Sequence, residues 1–167
     1  NTLYSGIKKL EAGHRLSVTI DGKVENEVWY SVPQYDGSLE GIDAADAANQ
    51  LDSKLFDAVG SALVADVPVG AYLSGGIDSS IICAMIAKHR GNKPDSLSTF
   101  SASFSDGSSL DETPYARVVA EQLQTDHHEV TVAPQDFIET WPKLSYQFDA
   151  PIPEPPDIAF SFLAKRA

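Results

Sequence analysis

Residues 69–80 read VGAYLSGGIDSS, a short apolar run that leads into small and polar residues. Residues 69–73 have the length and composition of a buried parallel strand. Gly75 and Gly76 then let the backbone turn tightly and approach a ligand, because neither residue has a Cβ. Residues 81–89 are mostly apolar and end in basic residues before Gly91, as helices commonly do. The stretch therefore predicts a strand, a glycine-rich loop and a helix.

The loop, residues 74–80, has the properties of an anion-binding site. It lies where a strand ends and a helix begins, and the free N–H groups of a helix start attract phosphate. Serine hydroxyls in the loop add further donors. No lysine follows the glycines, so the pattern is not a Walker loop, and the glycine spacing does not match G-x-G-x-x-G either. The alternative is an ordinary turn with an Asp or Ser cap, but the preceding strand and the following helix favour a ligand loop.

Asp78 is the unexpected residue of this loop, since a bare carboxylate would repel phosphate. A magnesium ion between them would turn that repulsion into a contact, because Mg²⁺ commonly bridges carboxylates and substrate phosphates. The sequence therefore predicts Asp78 as a magnesium ligand.

The rest of the chain alternates between strand and helix patterns. A helix is predicted from Ala44 until Pro68, strands over residues 97–104 and 128–132, and a helix from Thr113 to Leu123. Two more helices are predicted, one from Pro134 that Pro142 kinks or ends and one over residues 157–166 capped by Asp157. The order predicts an α/β fold, with a parallel sheet and helices on both faces. Asp21-Gly22 predicts a preceding β-hairpin within residues 14–30, and residues 31–43 a linker.

Composition narrows the class of protein. The net charge is −12 over 167 residues, which makes sequence-independent nucleic-acid binding a poor hypothesis. No apolar run is long enough to cross a bilayer. The single cysteine, Cys83, excludes an internal disulfide and fits a reducing compartment. We therefore expect a soluble, cytoplasmic protein that binds neither nucleic acid nor membranes.

SGGIDSS resembles the PP-loop of the Rossmann-like ATP pyrophosphatases, and more narrowly that of glutamine-hydrolysing asparagine synthetases. Three further segments resemble that family in the same order: residues 64–73 (VADVPVGAYL), 111–117 (DETPYAR) and 125–130 (TDHHEV). Residues 6–14 resemble the end of its glutaminase domain. The resemblance covers nearly the whole chain.

This resemblance implies three parts: the end of a glutaminase domain over residues 1–35, a linker and first helix start over 36–50, and the N-terminal part of the synthetase domain over 51–167. We expect an excised middle piece. The family's mature glutaminase begins with a catalytic cysteine, whereas this chain begins with Asn1 and Thr2, and the family's later S-G-x-G-x-D-E-type segment is not reached before Ala167. This chain would then not hydrolyse glutamine by that route, and we expect it to be inactive on its own.

The resemblance also implies an enzyme, an asparagine synthase that uses ATP and Mg²⁺. The side-chain carboxylate of aspartate attacks the α-phosphorus, giving aspartyl-AMP and pyrophosphate, and ammonia from glutamine then displaces AMP. A homodimer of the longer protein is left open. Asp149-Ala-Pro151 stands where many members read D-E-P, which leaves the substrate open as well. The alternatives are a β-lactam synthetase-like or specialised amide-forming relative, and a non-catalytic nucleotide-binding module.

Carried over by position, the resemblance implies nucleotide-binding residues but assigns no catalytic residue. The nucleotide-binding set is Leu73, Ser74, Gly75, Gly76, Asp78, Ser79, Ser80 and Ala102. Asp111 and Glu112 either border the acceptor substrate or only stabilise a helix start. Cys83 is predicted to be a packing residue. His127 and His128 are adjacent in a strand and face opposite ways, so we do not expect them to share a metal ion.

Overall fold

The computed structural model describes residues 2, 4–91, 97–105, 111–152, 154 and 156–167. The chain forms two compact units, Asn1–Ile42 and Asp43–Ala167. The first contains the predicted hairpin, in which β1 (His14–Val18) pairs antiparallel with β2 (Val24–Val28). Gly22 in its turn has a φ of +85°, a conformation that glycine adopts without strain.

The second unit confirms the predicted α/β class. Its elements are α1 (Ala44–Ala62), β3 (Ala71–Tyr72), α2 (Ile77–Arg90), β4 (Ser98–Phe104), α3 (Thr113–Leu123), β5 (Asp126–Val132), α4 (Pro134–Gln147) and α5 (Pro156–Arg166). The three strands are parallel and lie in the order β3-β4-β5. Among the helices in the described residues, none combines the length and apolarity needed to span a bilayer.

Helices cover both faces of this sheet. Successive strand residues point to opposite faces, so each strand has side chains that contact helices on either side. On one face, Arg117 of α3 is bonded to Glu129 of β5. On the other face, the ring of Phe160 in α5 lies 5.7 Å from that of Tyr72 in β3. The predicted arrangement is therefore confirmed.

Each side has its own apolar core. The larger core joins α1, α2, α3 and the ends of β3 and β4, through Val59, Leu73, Cys83, Ile86, Leu97, Ala116 and Ala120. The smaller core lies among α4, α5 and Ile152. Cys83 is fully buried, and burial raises the pKa of its thiol. This confirms Cys83 as a packing residue.

Two predicted boundaries beside the loop are wrong. The strand predicted over residues 69–73 pairs only at Ala71 and Tyr72, although the Leu73 N–H still donates to the Phe100 carbonyl at 2.8 Å. The helix predicted from residue 81 begins at Ile77. Gly76 takes the cap position with extended backbone, and its carbonyl accepts from the Ser80 N–H at 3.0 Å. The last part of the predicted loop is thus the first turn of α2.

Three later predictions also change. β5 begins at Asp126 rather than at residue 128, because the Asp126 N–H donates to the Leu97 carbonyl at 2.9 Å. Pro142 does not end α4, which continues through it. The preceding turn at Ile138 is exposed, so a carbonyl that lacks its donor can be hydrated. Asp157 lies inside the first turn of α5, which starts at Pro156. Residues 106–110, 153 and 155, in the predicted loop and extended segment, lie outside the described residues.

Candidate functional site

The loop between β3 and α2 is pressed against the start of α3. Gly75 has a φ of +80°. A Cβ at this position would lie 2.5 Å from both the backbone nitrogen of Ala116 and the carbonyl carbon of Tyr115. Since real Cβ atoms do not approach backbone so closely, the contact between loop and helix requires glycine here.

Two serine side chains close the loop on itself. The Oγ atoms of Ser74 and Ser79 lie 2.9 Å apart, and the Ser74 N–H donates to Ser79 Oγ at 3.2 Å. The Gly76 N–H donates to Ser74 Oγ at 3.2 Å, and the Ser79 hydroxyl is also 3.2 Å from the Gly76 carbonyl oxygen. These hydroxyls, predicted to bind phosphate, already have partners inside the loop.

The start of α2 offers the most direct anion-binding groups. The first N–H groups of an α-helix have no acceptor within the helix, and the helix dipole favours negative charge beside them. Ile77 and Asp78 in this first turn are exposed. Ser80 differs, because its Oγ is buried and has no hydrogen-bond partner in the described part of the chain.

The side chains beside this turn could hold a magnesium ion only together with ligands from water or substrate. In the described ranges, no group of three or more His, Cys, Asp or Glu side chains could hold a metal ion. Asp78 alone supplies a carboxylate in the loop and first turn. Mg²⁺ is usually held by one or two carboxylates together with waters and substrate phosphates, so a single exposed Asp fits that mode.

A cavity of about 830 Å³ opens at the carboxyl ends of the three strands. Five of the predicted site residues line it: Leu73, Ser74, Ser79, Ala102 and Glu112. Four others, Gly75, Gly76, Asp78 and Ser80, belong to the adjoining loop and helix turn without lining the cavity. The structure thus brings one part of the predicted set together around a ligand-sized space and leaves the other part beside it.

Much of the cavity wall is apolar and was missed in the sequence. The wall includes Phe100, Phe104, Val132, Phe137, Phe160 and Leu163. The alternation of Phe100, Ala102 and Phe104 along β4 is a signal that could have placed them on one face. The contributions from α4 and α5 depend on tertiary packing and have no comparable local signal.

Asp111 stabilises the approach to α3. Its Oδ1 accepts from the Thr113 N–H at 3.0 Å and from the Thr113 hydroxyl at 2.7 Å. Those hydrogen bonds lower the pKa of the Asp111 carboxyl below its ordinary value of 3.8. Asp111 does not line the cavity, whereas its neighbour Glu112 does. The helix-stabilising interpretation therefore has direct support for Asp111.

Replacing Asp111 with asparagine should remove a pH-dependent part of the stability. A carboxyl whose pKa is lowered on folding stabilises the fold above its unfolded pKa, and this contribution is lost as pH falls through the folded pKa. We expect Asp111→Asn to be slightly less stable than the unaltered chain at pH 7, and we expect this difference to shrink as the pH falls below about 4, the pKa of an unfolded Asp. Urea unfolding at several pH values measures this. Glu112→Gln is the control, because Glu112 makes no side-chain cap bond; an equal effect in both variants would contradict the assignment.

The two adjacent histidines of β5 face opposite sides, as predicted. His127 lies within hydrogen-bond distance of Thr99 and Ser101. His128 stacks on Phe100 at a centroid distance of 5.2 Å. The two rings have separate partners.

The three-stranded parallel sheet between helices, with a glycine-containing loop and a cavity at its carboxyl edge, is that of an α/β domain and is consistent with a PP-loop domain. Residues 50–167 match the family model described as asparagine synthase. The chain belongs to the asparagine synthase family.

Two relatives of this chain have names that state different activities. The chain is 27% identical to asparagine synthetase (glutamine-hydrolyzing) 1 of Bacillus subtilis, over 100% of this chain and 25% of the relative. It is 28% identical to the amidase chry2 of Gibberella zeae, over 92% of this chain and 24% of the relative. The chain spans about a quarter of the length of these curated relatives.

Proposed function

We propose that this chain is the ATP-binding part of an enzyme that forms an amide by adenylating a carboxylate. The observation that carries the proposal is the closed Ser74–Ser79 loop at the start of α2, next to a cavity of about 830 Å³. In the proposed reaction, the side-chain carboxylate of aspartate attacks the α-phosphorus of ATP and pyrophosphate leaves. Ammonia derived from glutamine then displaces AMP, which gives asparagine.

The chain's own groups divide this work. The N–H groups of the first turn of α2 bind the oxygens of the departing pyrophosphate, where negative charge increases in the transition state. The main chain at Leu73 and Ala102 meets the nucleoside, and the phenylalanine-rich wall of the cavity receives its base. Glu112 borders the acceptor substrate, and Asp111 holds the helix start beside it.

Asp78 and the phosphate oxygens would together hold Mg²⁺. The ion would neutralise charge on the phosphates and so assist their departure.

We also propose that residues 1–35 are the end of a glutaminase domain, residues 36–50 a linker with the start of α1, and residues 51–167 the N-terminal part of the synthetase domain.

The acceptor carboxylate has two candidates. The Bacillus subtilis relative supports aspartate. The amidase chry2, together with Ala150 in the Asp149-Ala-Pro151 segment, supports a different carboxylate in a specialised amide-forming enzyme. ATP–pyrophosphate exchange in the protein that carries this chain separates the two: dependence on added aspartate supports the first, and its absence with exchange on another carboxylate supports the second.

Nucleotide binding by the chain itself tests the proposal. Isothermal titration with ATP, AMP and pyrophosphate, with and without Mg²⁺, should show Mg²⁺-dependent binding of ATP and pyrophosphate. Asp78→Ala should weaken Mg-ATP binding by about tenfold or more, since even a hydrogen bond to a charged group contributes roughly 1.5–3 kcal/mol. Asp46→Ala, which also removes a first-turn aspartate, is the matched control on α1.

Three results would each contradict one part of this proposal. ATP binding that is equally strong with and without Mg²⁺ would favour a non-catalytic nucleotide-binding module. Equal effects of Asp78→Ala and Asp46→Ala would remove Asp78 from the site. Binding of neither Mg-ATP nor pyrophosphate would contradict the proposed role of the loop in this chain.

A further inference from the structure

A row of hydrogen-bonding side chains runs along one face of β4 and β5 and ends at Ser101, a residue that lines the cavity. Thr125 Oγ1 lies 2.8 Å from Thr99 Oγ1, which lies 2.9 Å from Nδ1 of His127. Nε2 of His127 lies 3.1 Å from Ser101 Oγ. Ser101 lines the cavity. We refer to these four residues as the His127 row.

Two members of the row are buried, and Thr125 and His127 are partly buried. Thr99 is 0% exposed and Ser101 is 4% exposed, although both side chains are polar. Polar side chains are rarely buried without partners, and a partly satisfied network is costly. The hydrogen bonds of the row therefore fix the orientation of its hydroxyl groups.

One orientation of the row is favoured by charge. Oε1 of Glu129 lies 3.8 Å from Nε2 of His127, and Arg117 holds that carboxylate with bonds of 2.5 and 2.6 Å. A carboxylate beside Nε2 favours the tautomer that carries its proton on that nitrogen. Burial lowers the pKa of His127, with Glu129 acting in the opposite direction. The ring is therefore neutral at neutral pH and has one donor and one acceptor nitrogen.

The tautomer sets the direction of every bond in the row. In the tautomer with its proton on Nε2, Nδ1 of His127 accepts from the Thr99 hydroxyl, and Thr99 Oγ1 then accepts from Thr125. At the other end, Nε2–H donates to Ser101 Oγ. The Ser101 proton then has no acceptor in the part of the chain that the structure describes. Its hydroxyl is left as a donor in a residue that lines the cavity.

We propose that His127 is a positioning residue that orients the Ser101 hydroxyl as a hydrogen-bond donor to a phosphate oxygen of the nucleotide. The proposal rests on the proposed function of the cavity. The phosphate end is chosen because Ser101 is one residue beyond Phe100, which pairs with Tyr72, and so it lies beside Leu73 where the loop begins. Ser74 and Ser79 of that loop line the same cavity.

The tautomer of His127 can be measured without any ligand. Long-range ¹H–¹⁵N spectra of the full chain distinguish a protonated Nε2 from a protonated Nδ1 in each of its four histidines. Comparison with His127→Gln assigns the His127 signals. A proton on Nε2 supports the proposal, and a proton on Nδ1 overturns it. This result does not depend on nucleotide binding, so it separates the proposal from the proposed function.

Titration with Mg²⁺ and pyrophosphate tests the contact. Ser101→Ala should weaken binding about three- to tenfold, the effect of one hydrogen bond. Ser103→Ala is the matched control on the same face of β4, because Ser103 bonds to Thr131 at 3.0 Å instead of to His127. Equal losses in the two variants, or weaker adenosine binding with unchanged pyrophosphate binding, would overturn the phosphate contact.

Two conservative replacements test whether His127 acts by orienting Ser101. His127→Gln keeps an N–H donor near the position of Nε2, whereas the shorter side chain of His127→Asn does not. We expect Gln to retain pyrophosphate binding and Asn to lose about as much as Ser101→Ala. In the Ser101→Ala background, His127→Asn should then cost nothing further. Additive losses, or equal losses with Gln and Asn, would contradict positioning through Ser101.

Discussion

Gly75→Ala should destabilise the chain by about 3 kcal/mol and abolish nucleotide binding. A positive φ costs a residue with a Cβ roughly 1–3 kcal/mol, and overpacking costs a similar amount. The added methyl would lie 2.5 Å from the backbone of Tyr115 and Ala116, so either the loop or the start of α3 has to move. Urea unfolding measures the stability, and titration with Mg-ATP measures the site.

Gly76→Ala is the control for this variant. Gly76 has a φ of −68°, which any residue can adopt, and the nearest atom to a Cβ there is Ser74 Oγ at 3.3 Å. We expect a loss below about 1 kcal/mol, mainly from a poorer cap residue. If both variants lost the same stability, the close packing of the loop on α3 would not be the cause.

Leu73→Ala should cost roughly 2–5 kcal/mol, the range for removing a buried leucine side chain. Leu73 is 1% exposed and packs in the core that joins α1, α2 and α3. Its N–H also donates to the Phe100 carbonyl, so collapse of the cavity left behind would disturb the end of β3. The free energy of unfolding in urea is the measurement.

Ile77→Ala removes an aliphatic side chain from the other end of the same loop. Ile77 is 79% exposed, and surface substitutions usually change stability by less than about 0.5 kcal/mol. A loss in Leu73→Ala no larger than that in Ile77→Ala would show that the Leu73 side chain is not part of the folded core.

The sequence predicted the class of fold because its strongest local signals agreed with one another. Asp21-Gly22 marks the hairpin turn, and Pro114 follows Thr113 at the start of α3. The start of α2 was placed too late because Ser79 and Ser80 suit a loop as well as a first helical turn. Short-range preferences could not decide between these two states.

The site residues that lie in one local motif could be predicted from the sequence, whereas those that tertiary packing brings to the site could not. Ser74, Ser79 and Leu73 follow from the glycine-rich motif, and all three line the cavity. The contributions of Phe137 and Phe160 depend on how α4 and α5 pack, which no local pattern encodes. The row from Thr125 to Ser101 likewise requires the register between β4 and β5, in which Thr99 pairs with His127.

The mutual hydrogen bonds of Ser74 and Ser79 have a consequence for the thermodynamics of binding. Because the loop is already ordered by its own side chains, its conformational entropy is lost on folding and not again when a ligand arrives. A ligand that recruited either hydroxyl would exchange one partner for another, with little net gain in bonding. The two serines would therefore contribute to affinity mainly by rigidity, and the backbone amides that they hold in place would supply the attraction.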